Sequence, residues 1–173
     1  MDLKSKIRNI PDFPKKGIIF RDITPLIRDK EAFKYAIDEM ARQYEGKKID
    51  AILGAEARGF IFGSALAYKI GAGFIPVRKP GKLPYKTCKV SYDLEYGSNV
   101  LEMHMDAINK GDKILIVDDL IATGGTAKAK AELVENRGGE VVGLCFLIEL
   151  EFLNPRKILS NYDVFSMIKY DSE

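Results

Sequence analysis

The sequence predicts an α/β protein: a doubly wound, mainly parallel five-stranded sheet flanked by helices. Three observations predict it. Short apolar runs without polar alternation recur near Ala51, Phe74, Ile114, Val141 and Val164, as strands buried on both faces require. Stretches with apolar residues at helical spacing separate several of these runs. Loops rich in small residues follow two of them and open helices, at the strand ends where an open α/β sheet holds its ligands.

At 173 residues the chain suffices for one domain, 1–173, and is short for two. Hydrophobic residues at 46% and charged residues at 30% are those of an ordinary globular protein, and a net charge of +2 gives no reason to expect a nucleic-acid or membrane surface. Charges in Met1–Lys6 stand where a signal peptide needs an apolar core, so a cytoplasmic location is expected. Cys88 and Cys145 match no metal-ligand spacing and read as reduced thiols. His104, the one histidine, lies among Leu101, Met103 and Met105 and reads as structural.

Along the chain, residues 3–10 read as a short helix closed by Pro11. A turn-rich stretch then leads to a strand-like run over 18–22. Segment 1–28 is too punctuated for a regular βα layer and is expected to form a small hood over the sheet, presenting the Phe20 ring and the Arg21 cation to whatever binds beneath. Asp29 is placed to cap a helix over 30–44, whose stripe Ala32, Phe33, Ala36, Ile37, Met40, Ala41 and Tyr44 is core packing. A brief strand over 51–54 runs into Ala55-Glu56-Ala57-Arg58-Gly59 and a helix that ends at Gly71. That loop is an anion site in outline, with Arg58 supplying a planar fork for two phosphate oxygens. The strand over 74–77 ends in a basic cluster, Arg78, Lys79 and Lys82, positioned to receive a polyphosphate. A long mobile flap over 82–104 follows, read as two-stranded.

The most informative stretch is residues 113–126. An apolar strand over 114–117 stops at Asp118 and Asp119. After a short link come Ala122, Thr123, Gly124, Gly125 and Thr126, and then Ala-rich helical sequence. A small-residue turn at a helix mouth suits a phosphate, because the first N–H groups of a helix lack partners and its dipole is positive there. Carboxylates one loop away can accept from vicinal sugar hydroxyls or help to hold a hydrated Mg²⁺. The combination describes a site for a sugar 5′-phosphate. A P-loop is excluded by the missing Lys-Ser/Thr ending, and no G-x-G-x-x-G follows a strand. The plain alternative, a strand end and an unrelated turn, leaves the acids and the small residues unconnected.

Residues 113–126 resemble the phosphoribosyl-pyrophosphate signature of type I phosphoribosyltransferases. Several further segments resemble the adenine phosphoribosyltransferase branch, especially its bacterial members: Pro11–Pro14 with Gly17–Pro25, Gly54–Phe60, Val77–Pro84 and Tyr92–Gly97. Beyond Asn154 nothing matches. The resemblance implies reversible conversion of adenine and phosphoribosyl pyrophosphate to AMP and pyrophosphate, with Mg²⁺ bound mainly through the phosphoribosyl pyrophosphate, in a homodimer. It implies that Phe20 stacks on the base, that backbone groups around Ile19 and Arg21 read its edge, and that Leu150 packs on its other face. Arg58, helped by Lys79 or Lys82, would take the pyrophosphate. Asp118 and Asp119 would hold the ribose hydroxyls, Ala122–Thr126 the 5′-phosphate, and Glu95 would transfer a proton near the base's N7. A phosphoribosyltransferase for hypoxanthine, guanine or xanthine is the nearest alternative. A non-catalytic regulator coupling the ligand to nucleic acid is disfavoured by the chain's length and charge.

Overall fold

A computed structural model describes residues 1–93 and 98–173. After a 3₁₀ turn at Lys4–Lys6, β1 (Arg8–Ile10) pairs antiparallel with β2 (Phe20–Asp22), with Asn9 opposite Arg21. This corrects the helix expected over 3–10. β2 offers the backbone of residues 8–10 a ladder, and only the 3₁₀ turn at Lys4–Lys6 is helical in this stretch. α1 (Thr24–Arg28) starts with Pro25 in its first turn, where a missing N–H costs nothing. α2 (Lys30–Gln43) is capped as expected: the Asp29 carboxylate accepts the N–H groups of Glu31 and Ala32, both at 3.1 Å.

β3 (Ala51–Ala55), α3 (Arg58–Ile70) and β4 (Gly73–Val77) form the first βαβ unit of the main sheet. The hairpin of β5 (Thr87–Asp93) and β6 (Ser98–His104) intervenes before β7 (Lys113–Ile121), α4 (Gly125–Asn136), β8 (Glu140–Leu150) and β9 (Val164–Tyr170). The sheet has the order β4-β3-β7-β8-β9, and every pairing in it is parallel. It is the five-stranded, helix-flanked sheet expected.

Strand alternation divides the core in two. Leu115 and Val117 of β7 and Cys145 and Leu147 of β8 pack with α2 and α3, whereas Ile114, Ile116, Leu144 and Phe146 pack with α4 and the hairpin. The order in which successive strands are laid down reverses between β3 and β7, and such a switch point leaves a crevice at the strand carboxyl ends.

One boundary matters for the site. β7 does not stop at the two acids, because β8 continues beside it and pairs Asp118 with Phe146 and Leu120 with Ile148. The acids therefore project from ordered strand, on a frame stiffer than the loop the sequence suggests.

Candidate active site

The crevice holds a cavity of about 410 Å³ lined by Glu56, Ala57 and Arg58 from the β3–α3 loop, by Asp118 to Gly124, and by Thr126, Ala127, Lys130 and Phe146. Residues more than 60 positions apart thus share one space. Asp118 and Asp119 take alternate faces of β7, and their cations come from opposite sides of the sheet. Arg58 Nε lies 2.9 Å from Asp119 Oδ2, and Lys130 Nζ donates to Asp118 Oδ2 at 2.6 Å.

Burial makes the two acids unequal. Asp119 is 5% exposed. Loss of hydration, reinforced by the neighbouring Asp118 charge and opposed by Arg58, pushes its carboxyl up to about 7. Its Oδ2 has charge compensation from Arg58 without hydrogen-bond geometry, so a buried acceptor faces the cavity without a donor. Asp118 is engaged on both oxygens, since Oδ1 also accepts the Asp119 N–H at 3.0 Å.

Two glycines are fixed by close approach. A Cβ on Gly59, in the first turn of α3, would stand 2.7 Å from Asp118 Oδ1. Gly124 has φ +90° at the head of α4, and a Cβ there would also meet Pro155 O at 3.0 Å and the Ile158 side chain at 3.1 Å. Only glycine lets this turn keep its N–H groups at the helix mouth while segment 155–158 covers its back.

The other expected residues lie around this centre. Lys79 and Lys82 are exposed and do not line the cavity; the Lys79 N–H donates to Glu56 Oε1 at 2.7 Å, and Arg78 pairs with Glu56 Oε2 at 3.2 Å. Gly125 begins α4 without lining the cavity. The Arg58 guanidinium stands 5.0 Å over the Phe20 ring, which also makes an edge contact with Phe13. The hood aromatic therefore adjoins the acidic centre through Arg58.

Arg21 differs from expectation. Its side chain is 4% exposed and turned from the cavity, stacked 3.9 Å over the Tyr170 ring and donating to Asn9 Oδ1 at 2.7 Å. The Ile19 N–H donates to Glu173 Oε2 at 3.1 Å. Leu150 ends β8 opposite Tyr170 and packs at the edge of the α2–α3 core. Glu95 lies outside the described residues.

Sequence reasoning misses Lys130, Glu56 and the pair Glu149–Arg156. Arg156 grips both Glu149 oxygens, at 2.7 and 2.8 Å, and so ties the chain after β8 to the strand that carries Leu150. The available signal for Lys130 is a charge flanked by Ala127, Ala131 and Val134 on the stripe that must face the sheet.

Comparison with known proteins gives one consistent picture. Residues 26–171 match the phosphoribosyl transferase domain family. An adenine phosphoribosyltransferase of a Thermotoga species is 62% identical over 98% of this chain and 100% of its own length. The crystal structure of the adenine phosphoribosyltransferase of Thermoanaerobacter pseudethanolicus superposes with a TM-score of 0.95 at 56% identity, over 98% of both chains. The Saccharomyces cerevisiae enzyme, solved with an imino-altritol bisphosphate and adenine, superposes with a TM-score of 0.90 at 43% identity, over 95% of this chain and 96% of that one.

Proposed function

The chain belongs to the adenine phosphoribosyltransferase family, and from that membership we propose how its cavity carries out the family's reaction. It transfers the 5-phosphoribosyl group of phosphoribosyl pyrophosphate to adenine in purine salvage, forming AMP and releasing pyrophosphate. The base nitrogen bonds to the ribose anomeric carbon, the bond from that carbon to the pyrophosphate oxygen breaks, and the base gives up one proton.

The single observation that carries the reading is that Asp118, Asp119, Ala122, Thr123, Gly124 and Thr126 line one cavity at the sheet's switch point. N–H groups at the head of α4, with the hydroxyls of Thr123 and Thr126, take the 5′-phosphate. Asp118 and Asp119 accept from the ribose hydroxyls, and the donorless Asp119 Oδ2 gains a partner there. Arg58 is half-way between this centre and the hood and takes the pyrophosphate, assisted by Lys79 or Lys82, whose exposed side chains are free to swing toward it within a homodimer.

Adenine stacks on Phe20, its edge is read by backbone groups of Ile19 and Arg21, and Leu150 closes the opposite face. That Arg21 is held under Tyr170 fits a backbone role, since the stacked side chain fixes its peptide. The Ile19 N–H is already committed to Glu173, so its carbonyl is the freer group. Glu95 lies between β5 and β6 in sequence and accepts the proton near N7, with the hairpin shielding the cationic sugar from water.

The donor set fits Mg²⁺ carried by the substrate. Among the described residues no three His, Cys, Asp or Glu side chains gather as a metal cage, and both aspartates already face cations, whereas Mg²⁺ commonly sits on substrate phosphates with one or two carboxylates and retained water. When bound, it neutralises charge on the departing pyrophosphate. We place the enzyme in the cytoplasm. The test is AMP formation from labelled adenine with and without Mg²⁺, beside hypoxanthine, guanine and xanthine. AMP formed only with Mg²⁺ and from adenine supports the proposal, while preferential use of another purine refutes the base assignment.

A further inference from the structure

Lys130 is the one lysine among the most deeply buried side chains described, 1% exposed on the inner face of α4. Burying an ammonium is expensive, and a single buried ion pair seldom stabilises a fold more than an apolar side chain of equal volume would. Its surroundings, Ala127, Ala131 and Val134 from its own helix with Phe146 of β8, would accept such a side chain. The ammonium has three protons to donate, and the described partner is one oxygen, Asp118 Oδ2 at 2.6 Å. Fold stability therefore does not account for it, and the acid it holds faces the cavity.

Charge accounting at the cavity supplies the missing reason. The Asp118 carboxylate and the partly ionised Asp119 put negative charge where a ligand carrying a phosphate must settle. Arg58 is the cation beside Asp119, and its side chain is partly exposed and reaches the Phe20 ring, so a ligand can draw it away. Lys130 is enclosed and cannot follow the ligand. We propose that Lys130 is a positioning residue for sugar-phosphate binding: a permanent internal counter-ion that holds the Asp118 carboxylate in place and cancels its repulsion of the phosphate. This rests on the functional reading above and deepens it, since it explains how an acidic pair can face the phosphate of an anionic substrate.

The experiment titrates ribose 5-phosphate calorimetrically into the wild-type protein, Lys130→Met and Lys130→Gln, and compares KM for adenine among the three. Met keeps the volume without charge; Gln keeps a hydrogen-bond donor without charge and serves if Met fails to fold. Both folded variants should bind ribose 5-phosphate about tenfold more weakly, the order expected for removing one unit charge about 10 Å away at an effective dielectric of about 20. Their KM for adenine should not change; both variants should melt below wild type, because removing one partner leaves Asp118 charged without its cation, so affinities are compared at a temperature where all three proteins are folded. Unchanged ribose 5-phosphate affinity in either variant, or equal losses for sugar phosphate and adenine, overturns the proposal. A wild-type protein that fails to bind ribose 5-phosphate overturns the functional reading itself, and this inference with it.

Discussion

The proposed sugar-phosphate and base subsites are built in different ways. At the sugar-phosphate end, Asp118 to Thr126 is one unbroken stretch, its acids are held on ordered strand, and each acid has a cation from a different helix. At the proposed base end, Phe20 and Leu150 lie outside the cavity lining around the acids and come from distant parts of the chain: Phe20 meets Phe13 and Arg58, and Leu150 pairs with Tyr170. The first carries a cation beside each acid before a ligand arrives. The second depends on the hood staying docked against the last strand. Anion recognition should accordingly respond to charge and backbone changes near β7, and base recognition to changes in packing.

Substitutions can break or sharpen that contrast. The largest expected effect is Glu95→Gln, which should lower kcat about 10²–10⁴-fold if Glu95 performs general acid–base work, with little change in either KM. A raised KM for one substrate and an intact kcat would assign Glu95 to one end instead. Next, Arg58→Ala should raise KM for phosphoribosyl pyrophosphate by about ten- to a hundredfold, since hydrogen bonds to charged groups contribute about 1.5–3 kcal/mol. Steady-state kinetics showing an equal loss for adenine would erase the distinction between the ends.

Gly124→Ala forces a side chain into the left-handed region and against Pro155, at a cost of about 1–2 kcal/mol. About a tenfold weaker grip on the sugar phosphate should follow, and unchanged affinity would show that the turn does not bind it. Phe20→Leu should raise KM for adenine alone, by about three- to tenfold, because aromatic stacking on a base contributes about 1–3 kcal/mol and leucine retains part of the contact. If KM for phosphoribosyl pyrophosphate rises as much, Phe20 acts through Arg58.

The smallest effect is on stability. Asp119 titrates near 7 in the folded protein and near 3.9 when unfolded, so the folded state binds the extra proton between those values. Its contribution is whole below about pH 4 and is lost as pH rises toward 7. Asp119→Asn removes that loss, so its melting temperature should gain on wild type between pH 5 and 7.5. A difference that stays constant across this range would place the Asp119 carboxyl in the ordinary range.

Much of this architecture was legible beforehand for identifiable reasons. The apolar runs at 51–54, 74–77, 114–117 and 141–148 can be stable only as strands covered on both sides, and Asp29 announced α2 through its cap. Residues 3–10 misled because a stretch that short has no decisive period, and its partner strand lies ten residues on. Arg21 misled for a similar reason: residue type shows that a cation is present, while the Tyr170 ring that takes it is 149 positions away.

By itself the chain's sequence determined the parallel sheet, the acidic pair and the small-residue turn, because strand burial and helix-terminus chemistry depend on neighbours along the chain. Only the tertiary structure decided that β7 runs on through the acids, that Arg58 and Lys130 reach them from opposite faces, and that residues 155–158 close behind Gly124. Those are matters of distance between remote segments, which packing of the whole sheet sets and no local pattern records.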